Sequence, residues 1–247
     1  MKNGIFRRLT ALVFPPVCRV CNERQRVFSS RIPEVLCPDC QKRWQKEKAQ
    51  CCPTCKRMHA ACRCVPSKLS ENGCDTLIHL TAYRSHHRTA ASELVLHCKD
   101  HNDSEVFEFL AEELSEHVLP LADFSLLDAV VTYVPRRRAA VAAIGHDHGK
   151  ELARMVARRM GLPCEALIRR RILTRQQKEL DAAGRERNAA RSFEIEPNAS
   201  VKGKTVILVD DVCTTGASLA GCTALLLEAG AEKVTCAVIA KTERTTE

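Results

Sequence analysis

The sequence predicts an α/β protein: a parallel sheet covered by helices, preceded by a small cysteine-rich module. Three observations predict it. Ten of the fifteen cysteines fall within the first 74 of 247 residues. From Thr76 onward, short apolar runs alternate with amphipathic segments. One of those runs, Val206 to Val209, is apolar at four successive positions, as a central parallel strand covered on both faces requires. Charge divides the chain at the same place. Residues 1–74 carry 15 basic and 5 acidic side chains, whereas residues 75–247 carry 23 and 25. The expected domains are therefore 1–74, a metal-stapled module, and 75–247, the sheet domain.

Composition sets the outer bounds. Apolar residues make up 45% and charged residues 28%, which excludes wholesale disorder. The net charge of +8 points to anionic partners. No apolar run reaches the roughly 18 residues of a membrane span, so none is expected. The run Leu9 to Val17 is too short, and too polar on its right flank, for a secretory signal.

The first part has too few large apolar residues to bury a core alone and needs staples, either disulfides or zinc. Spacing favours zinc. Cys18-x2-Cys21 and Cys37-x2-Cys40 are separated by 15 residues, the paired spacing of a four-cysteine site. A second set follows in Cys52-x2-Cys55 and Cys62-x-Cys64, the last pair one residue shorter than usual. Cys51 is an alternative to Cys52, and a cross-braced site shared by the Cys18 and Cys52 pairs also fits the spacing. Cys74 reads as a small buried hydrophobe. His59 reads as a surface residue.

In the second part, Leu77 to Tyr83 alternates as a strand. Ser92 to Lys99 is helical. Ser104 caps a further helix with Val106, Phe109, Leu110, Leu114 and His117 on one face. Ala129 to Val134 is a buried strand. Asp147 to Met160 is a helix with Leu152, Met155, Val156 and Met160 inward, ended by Gly161. Glu165 to Ile168 and Ser192 to Ile195 are short strands, Gly216 to Glu228 is a helix and Val234 to Ala240 a final strand. Cys98, Cys164, Cys213, Cys222 and Cys236 read as small core residues.

The chemistry concentrates in Val206-Ile-Leu-Val-Asp-Asp-Val-Cys-Thr-Thr-Gly-Ala-Ser218. Two carboxylates, Asp210 and Asp211, emerge where the apolar strand ends. Thr214, Thr215, Gly216, Ala217 and Ser218 then open a helix, whose first amides and dipole favour an anion. Small residues let a phosphate approach, and hydroxyls add donors. The acidic pair suits the hydroxyls of a ribose, with Mg²⁺ nearby. A cap followed by a turn is the plain structural alternative, but it does not explain strand, paired acids, Thr-Thr-Gly and helix occurring in that order.

This stretch resembles the signature of type I phosphoribosyltransferases, which bind 5-phosphoribosyl pyrophosphate (PRPP). The resemblance implies that Asp210 and Asp211 hold the ribose 2′- and 3′-hydroxyls and that Thr214 to Ser218 hold the 5′-phosphate. With the cysteine-rich start, the whole chain resembles the ComF family of competence-associated phosphoribosyltransferase-like proteins. Tyr83 and Leu96 to Asp103, Val134-Pro135-Arg136-Arg137-Arg138 with Gly145 and Glu151 to Ala153, and Thr174 to Gln177 with Leu180, Arg185, Arg187 and Asn188 are similar to further family segments. The last of these resembles a mobile loop over the site. Two places depart from the pattern: Ile144 to His148 stand where the family has Arg-Gly-Phe-Asn-Gln, and Asp100 replaces an aromatic residue after Lys99.

The charge map agrees with an anionic ligand. Residues 136–191 carry 15 basic and 6 acidic side chains, against 3 and 11 in residues 75–128. Lys99, Arg136, Arg137, Arg185 and Arg187 are the expected phosphate contacts. Arg154, Arg158, Arg159 and Arg169 to Arg171 read largely as a solvated face, and so do His146 and His148. The resemblance implies transfer of a phosphoribosyl group from PRPP with release of pyrophosphate, with Asp210 and Asp211 as the catalytic pair and Mg²⁺ bound with PRPP. Zinc is structural. The family's link to DNA uptake implies an alternative: a non-catalytic competence accessory that binds single-stranded DNA through the module, meets competence-machinery proteins, and uses PRPP as a regulatory ligand. Phe6, Phe14, Phe28 and Trp44 are the few aromatics there to stack on bases. A nucleobase salvage enzyme is a third reading. Reduced thiolates and a nucleotide-type ligand point to the cytoplasm.

Overall fold

The computed structural model describes residues 15–25, 35–83, 88–121, 128–171 and 192–243. In chain order its elements are helix α1 (Pro38–Lys48), the short helix α2 (Ser67–Ser70), strand β1 (Leu77–Tyr83), helices α3 (Ala90–Asp100) and α4 (Ser104–Val118), and strand β2 (Ala129–Tyr133). Then come helices α5 (Arg138–Ile144) and α6 (His148–Met160), strands β3 (Ile168–Arg170), β4 (Phe193–Ile195) and β5 (Thr205–Cys213), helix α7 (Ala217–Glu228) and strand β6 (Lys233–Thr242). β1, β6, β5 and β2 form one sheet in that order, every pair parallel. β3 and β4 form a separate antiparallel pair. The protein is thus α/β with a parallel central sheet, as the alternation of strands and helices predicts. No helix among the described residues is long and apolar enough to cross a membrane.

Alternation along the strands divides the core into two layers. Ile78, Leu80, Ile207, Val209, Ala237 and Ile239 face one way, onto α3, α4 and α6. Leu77, Val206, Leu208, Cys236 and Val238 face the other, onto α7 and α2. With both faces covered, the strands read as continuous apolar runs.

The cysteine-rich region packs onto the first layer. Cys18, Val20, Leu36, Cys40 and Trp44 belong to the same buried cluster as Leu94 and Leu152. Polar contacts fix the junction. The Glu47 carboxylate accepts the Ala90 and Ala91 amides at 2.7 and 3.0 Å, capping α3 from α1. Arg19 Nε meets Asp103 at 2.7 Å, and Lys48 pairs with Glu113.

Several elements differ from the sequence reading. α1 goes unseen there, because its apolar content is low and its cap and first turn are the cysteines Cys37 and Cys40. Asp103, not Ser104, caps α4, its side chain accepting the Glu105 amide. The buried stripe of α4 runs through Phe107 and Ala111, leaving Phe109 and His117 at its margin. β5 continues through Asp210 and Asp211 to Cys213, so the acids sit on the strand instead of after it. Cys164 is only half-buried, while Cys98, Cys213, Cys222 and Cys236 are core residues as expected.

Candidate functional site

Because β2 and β5 are parallel neighbours, their C-terminal ends open on one edge of the sheet. That edge carries a cleft of about 310 Å³. β5 brings Asp210 and Asp211. The turn after β2 brings Pro135, Arg136 and Arg137, and the last turn of α3 brings Lys99. His148, Arg170 and Ser218 complete the walls. Of the residues expected on sequence grounds, Lys99, Arg136, Arg137, Asp210, Asp211 and Ser218 therefore converge. Thr214 and Thr215 are exposed and line a different cavity, and Gly216 is buried. Arg185, Arg187 and the rest of the Thr174 to Asn188 segment lie outside the described residues.

The two carboxylates differ sharply. Asp211 is 8% exposed. Its Oδ2 meets Lys99 Nζ at 2.9 Å and His148 Nε2 at 3.2 Å. Burial pushes this carboxyl up, but the hydrogen bond from His148 and the Lys99 ammonium outweigh it and hold it well below the usual range. For Asp210 the charge of Lys99 is outweighed. Burial and the adjacent Asp211 charge push it well above its usual range. Each acid also accepts the next amide in the chain, Asp211 N at 2.9 Å and Val212 N at 2.7 Å.

His148 is not a solvated residue, as the sequence reading has it. It is 4% exposed, and His146 is buried too. Arg136 Nη1 lies 2.8 Å from His148 Nδ1. A guanidinium can only donate, so Nδ1 accepts and the ring proton sits on Nε2, where it is donated to Asp211. Lys99, Asp211, His148 and Arg136 thereby form one chain across the cleft. His146 instead holds the Cys98 carbonyl at 2.9 Å. Arg170, read as part of a solvated face, lies 4.9 Å above the Phe193 ring and lines the cleft. Burial, then the Arg137 charge, lowers its pKa. Its position on the Ile168 face of β3 is the signal that could have found it, but the sequence reading runs that strand over Glu165 to Ile168 and stops short of Arg170.

The loop from Thr214 to Ser218 has the expected local form. Gly216 precedes α7 with φ +76°, a left-handed conformation that glycine adopts without strain. No side chain from Gly216 caps the helix, so amides of the first turn face outward, with Thr215 Oγ1 reaching Ala217 N at 3.4 Å.

The cysteines form two clusters in sequence order, Cys18/Cys21/Cys37/Cys40 and Cys52/Cys55/Cys62/Cys64, with ligand atoms within 4.8 Å of one another in each. Cys51 is exposed and belongs to neither, which removes the ambiguity with Cys52 and the cross-braced pairing. All fifteen cysteines are free thiols. A tetrahedral zinc with bonds of about 2.3 Å needs sulfurs about 3.8 Å apart, and Cys21 and Cys37 lie 3.8 Å apart. Asn22 and Lys56, each directly after the second cysteine of a knuckle, share φ near +60°. Burial pushes the Cys18 and Cys52 thiols up, but surrounding amides outweigh it and bring them to about 7 and about 6, whereas burial pushes Cys40 and Cys62 of the same clusters up. Both clusters thus fit a structural metal ion. His59 is no surface residue and no ligand. It is buried 3.4 Å from His79 Nε2 and 3.2 Å from Glu243.

Residues 146–247 match the family model described as a phosphoribosyl transferase domain. The match includes Asp210 to Ser218 and begins after Lys99, Arg136 and Arg137. No curated protein sequence matches the chain. Among solved structures, the chain is similar to a phosphoribosylpyrophosphate synthetase from Mycobacterium smegmatis, with 26% identity and a TM-score of 0.34 over 55% of this chain and 33% of that one. It is also similar to the glutamine PRPP amidotransferase of B. subtilis, at 19% and 0.40 over 58% and 30%. A hypoxanthine phosphoribosyltransferase from Staphylococcus aureus gives 12% and 0.36 over 59% and 70%. The chain thus spans about a third of the synthetase it matches. The domain at 146–247 is phosphoribosyltransferase-like.

Proposed function

We propose that this protein binds PRPP and transfers its phosphoribosyl group to an acceptor, releasing pyrophosphate, as a member of the ComF family. The observation that carries this is the convergence of a paired-acid strand end, a glycine-opened helix N-terminus and the Arg136–Arg137 turn on one cleft. Thr214 to Ser218 hold the 5′-phosphate through amides and hydroxyls. Asp210 and Asp211 accept the ribose hydroxyls and orient the sugar. Arg136, Arg137 and Arg170 face the departing pyrophosphate, and Arg185 and Arg187 add to its contacts. Transfer builds positive charge on the ribose and negative charge on the leaving group, so fixed cations at the latter lower the barrier.

Mg²⁺ fits this donor set. Asp210 is a carboxyl pushed up by burial and a like charge, which a divalent cation relieves. When bound with PRPP, the ion neutralises charge on the pyrophosphate. Zinc in the two cysteine clusters is structural. Residues 1–74 are the metal-binding module and 75–247 the transferase-like domain. The protein works in the cytoplasm, in the handling of incoming DNA during natural transformation.

The non-catalytic alternative, a module that binds single-stranded DNA by stacking, loses one of its aromatics. Trp44 is 0% exposed and cannot stack on a base. Pyrophosphate release from PRPP across a panel of acceptor bases tests the enzymatic reading. Release with an acceptor, abolished in Asp210→Asn/Asp211→Asn, is expected. Binding of PRPP without release by any acceptor would leave only the regulatory role.

A further inference from the structure

A second cavity, of about 250 Å³, also opens against the phosphate loop. Thr214 and Thr215 line one side. Thr54 and Ser67, from the region of the second cysteine cluster, line another, and Lys241 joins them from the end of β6. The module is seated closely on the loop. A Cβ placed on Gly216 would lie 3.7 Å from Pro66 and from Leu69. Lys241 Nζ donates to the Cys64 carbonyl at 3.1 Å, tying the strand end to the cluster. Hydroxyls and an ammonium on the far side of a phosphate add charge-assisted donors to those of the loop, and an ammonium retains donors beyond the one used on Cys64.

We propose that the Cys52–Cys64 module completes the phosphate seat. The Thr54 and Ser67 hydroxyls and the Lys241 ammonium bind the 5′-phosphate together with Thr214 to Ser218, and a metal ion in the Cys52/Cys55/Cys62/Cys64 cluster holds them in place. This rests on the phosphoribosyl reading of the loop. It gives the second cluster a role in binding that the first, packed against α3 and α4, does not have.

Two probes separate the two cavities: ribose 5-phosphate requires the phosphate seat, and pyrophosphate reads the Arg136 side. In the full-length protein, Thr54→Val/Ser67→Ala is expected to weaken ribose 5-phosphate about tenfold or more, the usual effect of losing a hydrogen bond to a charged group. Pyrophosphate affinity and zinc content stay unchanged. Cys55→Ser is expected to lose one zinc per chain and to weaken ribose 5-phosphate in the same way. Unchanged ribose 5-phosphate affinity in Thr54→Val/Ser67→Ala overturns the shared seat. Unchanged affinity in a zinc-depleted Cys55→Ser protein overturns the role of the metal. Should Cys55→Ser fail to fold, Lys241→Met takes its place and must likewise weaken ribose 5-phosphate alone. Wild-type protein that binds neither probe overturns the phosphoribosyl reading itself.

Discussion

Asp210 and Asp211 are chemically identical neighbours with opposite roles in stability. Asp211 is lowered by His148 and Lys99, so it stabilises the fold above about pH 4, and that contribution is lost as pH falls. Asp211→Asn is expected to cost about 2 kcal/mol at pH 7 and less in acid. Asp210 is raised, so its cost appears as pH climbs above about 4. Asp210→Asn is expected to stabilise the protein at pH 7, the gain vanishing in acid, while PRPP binding is lost. Chemical denaturation of both variants at pH 4 and 7 checks the opposite signs. His148 provides a second residue-scale prediction. Glutamine can accept from Arg136 and donate to Asp211 as the imidazole does. His148→Gln is expected to keep stability and PRPP affinity within about twofold. His148→Leu is expected to weaken PRPP about tenfold by removing the acceptor of Arg136 and leaving Asp211 with Lys99 alone. A leucine variant with unchanged affinity would exclude the Lys99–Asp211–His148–Arg136 chain from binding.

At the scale of elements, the loop before α7 depends on one backbone conformation. Gly216 has φ +76°, and an added Cβ would meet its neighbours at ordinary contact distance, so the penalty of Gly216→Ala is conformational. A loss of about 1 kcal/mol is expected by thermal melting, with a larger effect on PRPP because the loop amides turn away. This element was legible in the sequence because strand, acids, Thr-Thr-Gly and helix are contiguous. So were the knuckles, whose chemistry depends on spacing of two or three residues. What was not legible depends on contacts distant in sequence. Glu47 caps a helix 43 residues away. Asp103 wins the α4 cap over Ser104 because it also receives Arg19 and His97. His148 enters the cleft only once β2 and α6 are assembled, and no local pattern marks it; Arg170 shares a strand face with Ile168, a signal that needs the true bounds of β3. α1 was missed because two of its buried positions are a cysteine and a lone tryptophan, which break no apolar period.

Over the whole molecule, the cysteine-rich region and the sheet share one buried layer. Its metal is therefore expected to stabilise more than the module. Trp44, the sole tryptophan, is fully buried against Phe109 at 5.9 Å and reports on that layer. Stripping zinc with a strong chelator is expected to lower Tm in a single transition and to shift Trp44 emission to the red. An unchanged Tm with zinc removed would show the module to be energetically separate. The cysteine-rich region, the sheet and the loop before α7 then form one unit, with the cleft at the C-terminal ends of β2 and β5. The most direct measurement is calorimetric titration of PRPP into zinc-replete protein, with and without Mg²⁺. A phosphoribosyl site predicts one PRPP per chain, tighter with Mg²⁺, and no binding in Asp210→Asn/Asp211→Asn. Unchanged affinity in that double variant, or no binding to the wild type, would contradict it.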